Sequence, residues 1–201
     1  DIQVQPVALP PLGEEIRKLP FYNLIRNSDL ILAVLDGSKD PVTELELLVS
    51  ELEEGKVYLA AAHEEVPVGS VAQGMLVIMN KCDEGDAGEL RKDVTSVVGG
   101  KLPVLATSAE HGRGIEELKA AIFQANEIIR IYTKVPHHKP DMKDPYVLPV
   151  GSTVMDLAIH IHHDFAENLQ FSRVWGSSRF EGQSVPRDFV LQDGDIVELH
   201  I

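Results

Sequence analysis

The stretch "MLVIMNKCD" at residues 75–83 decides the fold. Its apolar beginning, "MLVIM", is the pattern of a strand covered on both faces of a parallel sheet. The polar "NKCD" follows at once, ahead of the loop-like "EGDAGE" at residues 84–89. Ligands of parallel sheets bind at the carboxyl ends of the strands, so we expect residues 80–83 to form a binding loop.

Strand-like and helix-like segments alternate on either side of this stretch. The predicted strands are residues 1–9, 28–36, 75–80 and 101–109, and the predicted helices are residues 13–27, 42–55, 87–98 and 114–129. The apolar run at 28–36 is also expected to be covered on both faces. This rhythm is typical of a parallel sheet with crossover helices, so residues 1–126 are interpreted as an α/β domain.

The last part of the chain, residues 127–201, has a different pattern. "IRIYTK" at 129–134 alternates as a strand, and "DGDIVELHI" at 193–201 reads as a turn feeding a terminal strand. Between them, "GSTVMDLAIHIHHDF" at 151–165 predicts one helix with Ser152 or Thr153 as its N-cap. Strands around one helix predict a small α+β, ubiquitin-like domain.

Composition and charge exclude several classes of protein. The net charge is −14, with 11 basic against 21 acidic residues in 1–126 and 7 against 11 in 127–201, so no broad basic surface for nucleic acid is expected. No apolar run approaches the roughly 20 residues of a membrane-spanning helix. The single cysteine, Cys82, has no partner for an internal disulfide, and we expect a cytoplasmic protein.

The polar residues after two predicted strands have the chemistry to read a guanine base. Asp83 can accept both the ring N–H and the exocyclic amine of guanine, a donor pair that adenine lacks. Asn80 can meet the purine acceptors or brace the loop, and the stem of Lys81 can lie across the ring. The next strand ends in "TSAE", where Ser108 and Ala109 allow a backbone N–H to approach the guanine carbonyl. The alternative is an Asn/Asp turn with a solvated lysine.

A loop for the nucleotide phosphates is not found in the sequence. A P-loop needs Gly, four residues and then Gly-Lys-Ser/Thr, because bare backbone N–H groups wrap the phosphates. The only "GK" pairs, Gly55-Lys56 and Gly100-Lys101, are followed by Val and Leu. Neither pair fits the pattern.

At "NKCD" and "TSA" the chain resembles the Obg superfamily of GTP-binding proteins. The pieces "IYTK", "GSTV", "VWGSS" and "LQDGDIVEL" narrow the resemblance to the developmentally regulated GTP-binding protein (DRG) branch with a C-terminal TGS domain. The resemblance covers essentially the whole chain. It implies part of a P-loop-type G domain at 1–126, then a β-grasp TGS domain at 127–201.

The family's switch motif, Asp-x-Pro-Gly, would fall on "ALPP" at residues 8–11 and is degenerate here. Ala8 has no carboxylate for a magnesium-bound water, Pro10 keeps the motif proline, and Pro11 lacks the N–H that would meet a γ-phosphate. Magnesium is therefore expected only if a P-loop exists upstream, and GTPase activity is left open. We hypothesise either that the chain is the C-terminal part of a longer protein, or that the strands at 1–9 and 28–36 pair directly.

The resemblance implies a regulatory protein that binds GTP or GDP and acts with the ribosome or translation machinery. The TGS domain would be its docking module for the ribosome or a regulatory protein. The alternative is a nucleotide-independent scaffold, whose degenerate G domain supports TGS docking to a protein or RNA. A metal enzyme using His160, His162 and His163 ranks last, because no carboxylate or cysteine completes a metal-binding set.

Overall fold

The computed structural model describes residues 4–11, 19–59, 67–83, 87–136 and 138–201. These residues divide into two compact units, which are described separately below. The first unit is residues 7–126, and the second is residues 127–201 together with residues 4–6. Among the described helices, none is both long and apolar enough to cross a membrane.

The first unit alternates helices and strands. Its elements are α1 (Leu19–Arg26), β1 (Ile31–Asp36), α2 (Pro41–Glu54), β2 (Val57–Leu59), β3 (Val71–Gln73), β4 (Met75–Asn80), α3 (Ala87–Val97), β5 (Val104–Ala106) and α4 (Ile115–Ala125). β1, β4 and β5 form a parallel sheet in the order β1-β4-β5. The predicted parallel sheet with crossover helices is therefore confirmed. β2 and β3 form a separate parallel pair that the sequence patterns did not predict.

The two long strands of this sheet differ in how far their faces are covered. Residues 75–79 of the central strand β4 are all buried, as predicted. In β1 only Ala33 and Leu35 are buried, whereas Val34 is 62% exposed. Ala33 and Leu35 share a core with Leu45 of α2, and no described element buries the opposite face. The prediction that this strand is covered on both faces is therefore wrong for the described part of the chain.

The segment before α1 also departs from expectation. Residues 4–11 lie in no helix or strand, and Val4 and Val7 are 57% and 58% exposed. Alternating apolar residues form a strand only where a neighbouring backbone completes the hydrogen bonds, and Pro6 removes one donor. Neither the predicted strand nor its direct pairing with β1 is seen in residues 4–9, and residues 1–3 lie outside the described chain. Of the predicted helix at 13–27, residues 13–18 also lie outside the described chain.

Helix α2 begins and ends where the sequence indicates. The Asp40 side chain accepts the backbone N–H of Thr43 at 3.1 Å, and Pro41 occupies the first turn, where its missing N–H costs nothing. The helix ends before Gly55, which packs directly against the ring of Tyr22. The phenol of Tyr22 donates to the Glu51 carbonyl at 2.9 Å, so the ring closes over the end of the helix.

The second unit is a five-stranded mixed sheet packed on a helix. Its elements are β6 (Ile128–Thr133), β7 (Asp141–Pro149), α5 (Val154–Ile161), α6 (His163–Asn168), β8 (Phe171–Trp175), β9 (Gln183–Val185) and β10 (Ile196–His200). The strand order is β7-β6-β10-β8-β9, with β10 parallel to β6 and the other pairs antiparallel. Leu157 and Ala158 of α5 share a core with Ile131 and Val197 of the central strands. This is the predicted β-grasp arrangement.

Thr153 is the N-cap of α5. It forms a capping box with Asp156, in which each side chain accepts the other residue's backbone N–H. The predicted single helix through Phe165 is wrong, because His162 has an extended backbone (φ −171°, ψ 145°) that separates α5 from α6. His162 instead caps α6 by accepting the Asp164 N–H at 3.2 Å. His160 and His163 therefore do not share one helix face.

Candidate functional site

The carboxyl ends of β4 and β5 bring two loops together. We call residues 80–83 the NKCD loop and residues 107–113 the TSAE loop. Thr107 donates its N–H to the Met79 carbonyl at 2.7 Å, and Cys82 donates its N–H to the Thr107 carbonyl at 3.0 Å. These backbone bonds continue the sheet pairing beyond the last residue of β5. Polar side chains 28 or more positions apart in sequence therefore meet at one sheet edge.

Asn80 bridges the two loops. Its side-chain oxygen accepts the backbone N–H of Ala109 at 3.0 Å, and the hydroxyl of Thr107 lies 3.5 Å away. The Ala109 N–H, which the sequence assigned to a base carbonyl, is thus bonded within the protein. Because this bond holds the TSAE loop at a fixed distance from β4, Asn80 braces the site.

Lys81 is tied to the end of β1. Its Nζ lies 2.7 Å from Oδ2 of Asp36. The other oxygen, Oδ1, accepts the backbone N–H and the hydroxyl of Ser38. The hydrogen bond from Lys81 holds the pKa of Asp36 far below its ordinary range, and the same bond raises the pKa of Lys81. Lys81 has a left-handed backbone (φ 63°), so the chain turns sharply at this residue.

The turn after β1 packs closely against the NKCD loop. Gly37 donates its N–H to the Asn80 carbonyl at 2.7 Å. A Cβ at Gly37 would lie 2.8 Å from that carbonyl oxygen and 2.8 Å from the Cys82 sulfur. Burial raises the pKa of the Cys82 thiol. Cys82 therefore fills space beneath the loop and has no thiolate character that would make it a nucleophile.

Asp83 is the carboxylate of the NKCD loop. Its Oδ1 lies 2.9 Å from Nδ1 of His111, and its backbone carbonyl accepts from Arg113 at 3.1 Å. Hydrogen bonding from the Ser108 hydroxyl and then from His111 lowers the pKa of Asp83. The group is ionised at neutral pH and accepts hydrogen bonds only. Its side chain is 28% exposed, so a ligand can reach it.

Three residues of this edge were not predicted from the sequence: Asp36, His111 and Arg113. Asp36 ends β1 in register with Asn80, so its position follows once the strands are paired. His111 and Arg113 belong to the TSAE loop, where Ser108 and Arg113 exchange backbone hydrogen bonds at 3.0 and 3.1 Å. The glycines within and after this loop were the available signal, since the loop ends at Gly114 with φ 71°.

The predicted degenerate switch lies apart from this hydrogen-bonded cluster. Ala8, Pro10 and Pro11 belong to the segment without helix or strand, and no hydrogen bond joins that described segment to the NKCD loop. Among the residues that the structure describes, no group of three or more His, Cys, Asp or Glu side chains is placed to hold a metal ion. The edge therefore combines two carboxylates, Asp36 and Asp83, with the Asn80 amide and the Lys81 ammonium group.

Comparison with known proteins gives the second unit a family. Residues 129–201 match the TGS domain. Over 127 residues the chain is 33% identical to an uncharacterised GTP-binding protein from Methanocaldococcus jannaschii, a match that covers 63% of this chain and 32% of the relative. It is 32% identical over 126 residues to developmentally-regulated GTP-binding protein 1 from Xenopus laevis, covering 62% and 33%. The chain spans about a third of the length of the curated relatives it matches.

Solved structures of two GTP-binding proteins share the fold. The first, from Pyrococcus horikoshii, has a TM-score of 0.59 and 18% identity, and the match covers 88% of this chain and 79% of that one. The second, the YchF GTPase of Schizosaccharomyces pombe, has a TM-score of 0.58 and 13% identity, covering 94% and 75%. The predicted fold class, part of a G domain followed by a TGS domain, is confirmed. The predicted resemblance to DRG-type GTP-binding proteins is confirmed as well.

Proposed function

We propose that this chain is the guanine-reading and TGS-carrying part of a GTP-binding regulatory protein of the DRG type. The observation that carries the proposal is the ionised, accessible carboxylate of Asp83 at the same sheet edge as Asn80, Lys81 and the Ala109 N–H. The named relatives from Methanocaldococcus jannaschii and Xenopus laevis are GTP-binding proteins, which favours a guanine nucleotide as the ligand.

The chemistry of base selection rests on Asp83. Guanine presents two adjacent donors, its ring N1–H and its exocyclic amine, and an ionised carboxylate accepts both. Adenine has no donor at N1, so one carboxylate oxygen would face a lone pair. A buried or half-buried acceptor left unpaired costs about 1–3 kcal/mol, which corresponds to roughly five- to 150-fold in affinity. In this proposal Asp83 selects the base, and the stem of Lys81 covers one face of the ring.

The nucleotide phosphates are proposed to bind to a P-loop that is not part of this sequence. Ala8 offers no carboxylate and Pro11 offers no N–H, so this part of the chain does not fit a magnesium ion or a γ-phosphate. We assign no hydrolytic step to it. Magnesium binding is proposed only for a protein that also carries an upstream P-loop.

The TGS domain is proposed to dock the protein on the ribosome or on a regulatory protein in the cytoplasm. Its support is the independent core of residues 127–201, which includes Leu157, Leu169 and Val174, each no more than 1% exposed. A domain with its own core presents a surface that does not depend on the nucleotide. A link to translation is inferred from the DRG resemblance.

A nucleotide-independent scaffold is the second candidate function. The observation in its favour is that the groups offered to a base are already paired within the protein: Lys81 with Asp36, and the Ala109 N–H with Asn80. A ligand must replace or share these bonds. The two candidates differ in whether the NKCD loop selects guanine.

Calorimetric titration with GDP, GTP and ATP, with and without magnesium, separates the two functions. Nucleotide is added to about 2 mM, because a dissociation constant near 1 mM still corresponds to roughly 4 kcal/mol of binding. We expect guanine-selective binding that Asp83→Ala abolishes. Equal binding of ATP and GTP, or binding that survives Asp83→Ala, would reject the guanine site. If no nucleotide binds, repeating the titration on an N-terminally extended chain decides between a nucleotide-binding protein and a scaffold.

A further inference from the structure

His111 contacts the carboxylate to which the proposed function assigns base selection, yet it lies outside both sequence motifs. Its Nδ1 is 2.9 Å from Oδ1 of Asp83 and 3.1 Å from the hydroxyl oxygen of Ser108. Its backbone N–H donates to the same hydroxyl at 3.2 Å. The ring is therefore held beside the carboxylate through Nδ1, and the His111 backbone is held by Ser108.

The direction of the His111 hydrogen bond follows from the ionisation of its partner. Asp83 is an acceptor only, since hydrogen bonding lowers its pKa and keeps it ionised. A contact of 2.9 Å is a hydrogen bond only if Nδ1 carries the proton. His111 is thus the donor and Oδ1 the acceptor, whether the ring is neutral or charged.

The backbone of the TSAE loop places this donor. Ser108 and Arg113 close the loop with paired backbone hydrogen bonds, and the Arg113 guanidinium donates to the Asp83 carbonyl at 3.1 Å. The loop therefore holds Asp83 at two points, its carboxylate through His111 and its backbone through Arg113. A carboxylate without a hydrogen-bond donor beside it rotates about its side-chain bonds. A donor held in a fixed position restricts that rotation.

The acceptor capacity of the carboxylate matches this arrangement. An ionised carboxylate has about four lone-pair positions. The contact with His111 occupies one of them, which leaves positions for the two N–H donors of guanine. The hydrogen bond within the protein therefore orients the Asp83 carboxylate and leaves it able to accept donors from a ligand.

We propose that His111 is a positioning residue for guanine recognition, which donates from Nδ1 to Asp83 and holds the carboxylate in the orientation that accepts two donors at once. The inference rests on the proposed function of the NKCD loop. It assigns His111 a role in selectivity. A carboxylate that has turned away from this orientation can still accept one N–H donor of a base, but it no longer accepts two at once. Guanine, with both N–H donors, then depends on His111 more than hypoxanthine, which has N1–H but no exocyclic amine.

The test compares His111→Ala, His111→Phe and His111→Asn with a control, Glu110→Ala. Glu110 is the exposed neighbour in the same loop. Among the described residues it forms no hydrogen bond or ion pair with Asp83. Phenylalanine keeps the ring volume but has no donor, whereas asparagine restores an N–H near the Nδ1 position. Far-UV circular dichroism establishes that each variant is folded. Calorimetry then measures the affinity for GDP and for inosine diphosphate.

We expect His111→Ala and His111→Phe to weaken GDP binding about tenfold, the effect of losing one hydrogen bond of ordinary strength. Inosine diphosphate binding should fall less, so the GDP preference shrinks, while His111→Asn and Glu110→Ala stay near wild type. NMR titration of the Asp83 carboxyl without nucleotide should show its pKa raised in His111→Ala and restored in His111→Asn. This second readout does not depend on any ligand.

Each outcome bears on one of the two proposals. If wild type binds GDP and His111→Ala binds it equally well, the positioning role is overturned and the guanine site stands. An unchanged ratio of GDP to inosine diphosphate affinity, or an unchanged Asp83 pKa, overturns it as well. If wild type binds no guanine nucleotide even in the extended chain, both the proposed function and this inference are rejected.

Discussion

Lys81 Nζ lies 2.7 Å from Asp36 Oδ2 and so joins the loop after β4 to the end of β1, two positions 45 residues apart in the chain. Both residues stand at the carboxyl edge of one parallel sheet, where Asp36 is in register with Asn80. The pair fixes the lysine that the proposed function lays across a base. Because this bond lowers the pKa of Asp36, we expect the edge to lose stability in acid.

Asp36→Asn should lower the thermal unfolding midpoint at neutral pH. The folded-state pKa of Asp36 is depressed, chiefly by the hydrogen bond from Lys81, so its stabilisation is present above the unfolded-state pKa of about 4 and is lost as the pH falls further. The difference in unfolding midpoint between wild type and variant is therefore largest above about pH 5 and decreases below about pH 4. Circular dichroism melts across this range measure it. Asp29→Asn, at an exposed position, is the control, and a gap that grows on acidification would contradict the assignment.

Asp83→Asn should move base preference from guanine to xanthine. The introduced amide donates to the C2 carbonyl of xanthine and accepts its N1–H, but it sets a donor against the exocyclic amine of guanine. We expect GDP affinity to fall about 10–100-fold while xanthosine diphosphate gains. Calorimetry with both nucleotides is the measurement. Asp83→Ala, which offers neither donor nor acceptor, should bind both weakly; loss of GDP binding without any gain for xanthosine diphosphate would argue against direct base contact.

Gly55→Ala should destabilise the first unit through overpacking. A Cβ at Gly55 would lie 2.0 Å from Cε1 of Tyr22, whose ring is 9% exposed and has little room to move. Inserting a methyl group into such a site costs about 1–3 kcal/mol of unfolding free energy. Urea unfolding followed by circular dichroism checks this value. Gly74→Ala, where the nearest atom would be 3.4 Å away, should stay close to wild type; an equal loss there would mean that the effect is not steric.

Thr153→Ala should destabilise the TGS domain by about 0.5–2 kcal/mol, the usual cost of removing an N-cap. The Thr153 hydroxyl accepts the backbone N–H of Asp156 in the first turn of α5. The Asp156 carboxylate in turn accepts the backbone N–H of Thr153 at 2.7 Å. Trp175 is the only tryptophan of the chain and belongs to this unit, so its fluorescence reports the transition. Thr153→Ser keeps the hydroxyl and should preserve stability. Loss of stability in both variants would instead point to the Thr153 methyl group.

The predictions from the sequence succeeded where a pattern is local. The buried strand β4, an N-cap at Ser152 or Thr153 and the ends of α2 follow from apolar periodicity and from side chains that bond within three residues. The structure selects Thr153 as the N-cap. The resemblance to DRG proteins also rests on short motifs. Local patterns therefore predicted most elements and the TGS domain.

The failures concern features that depend on partners distant in sequence. The strand expected at 1–9 is not seen in residues 4–9, because alternation alone supplies no neighbouring backbone. The contact of His111 with Asp83 requires the curl of the TSAE loop, and the contact of Asp36 with Lys81 requires the register of β1 and β4. The break between α5 and α6 comes from the extended backbone of His162, which the spacing of apolar residues does not predict.

The backbone bonds that join β4 to the TSAE loop have a consequence for how the site is maintained. Because the Thr107 N–H is bonded to Met79 and the Cys82 N–H to Thr107, the loops are extensions of the sheet ladder. Such amides open only when the sheet itself opens, so their hydrogen exchange should be among the slowest of the first unit. In the proposed function, the base site is therefore held by the backbone hydrogen bonds of the β4–β5 ladder and not by the helices around the sheet.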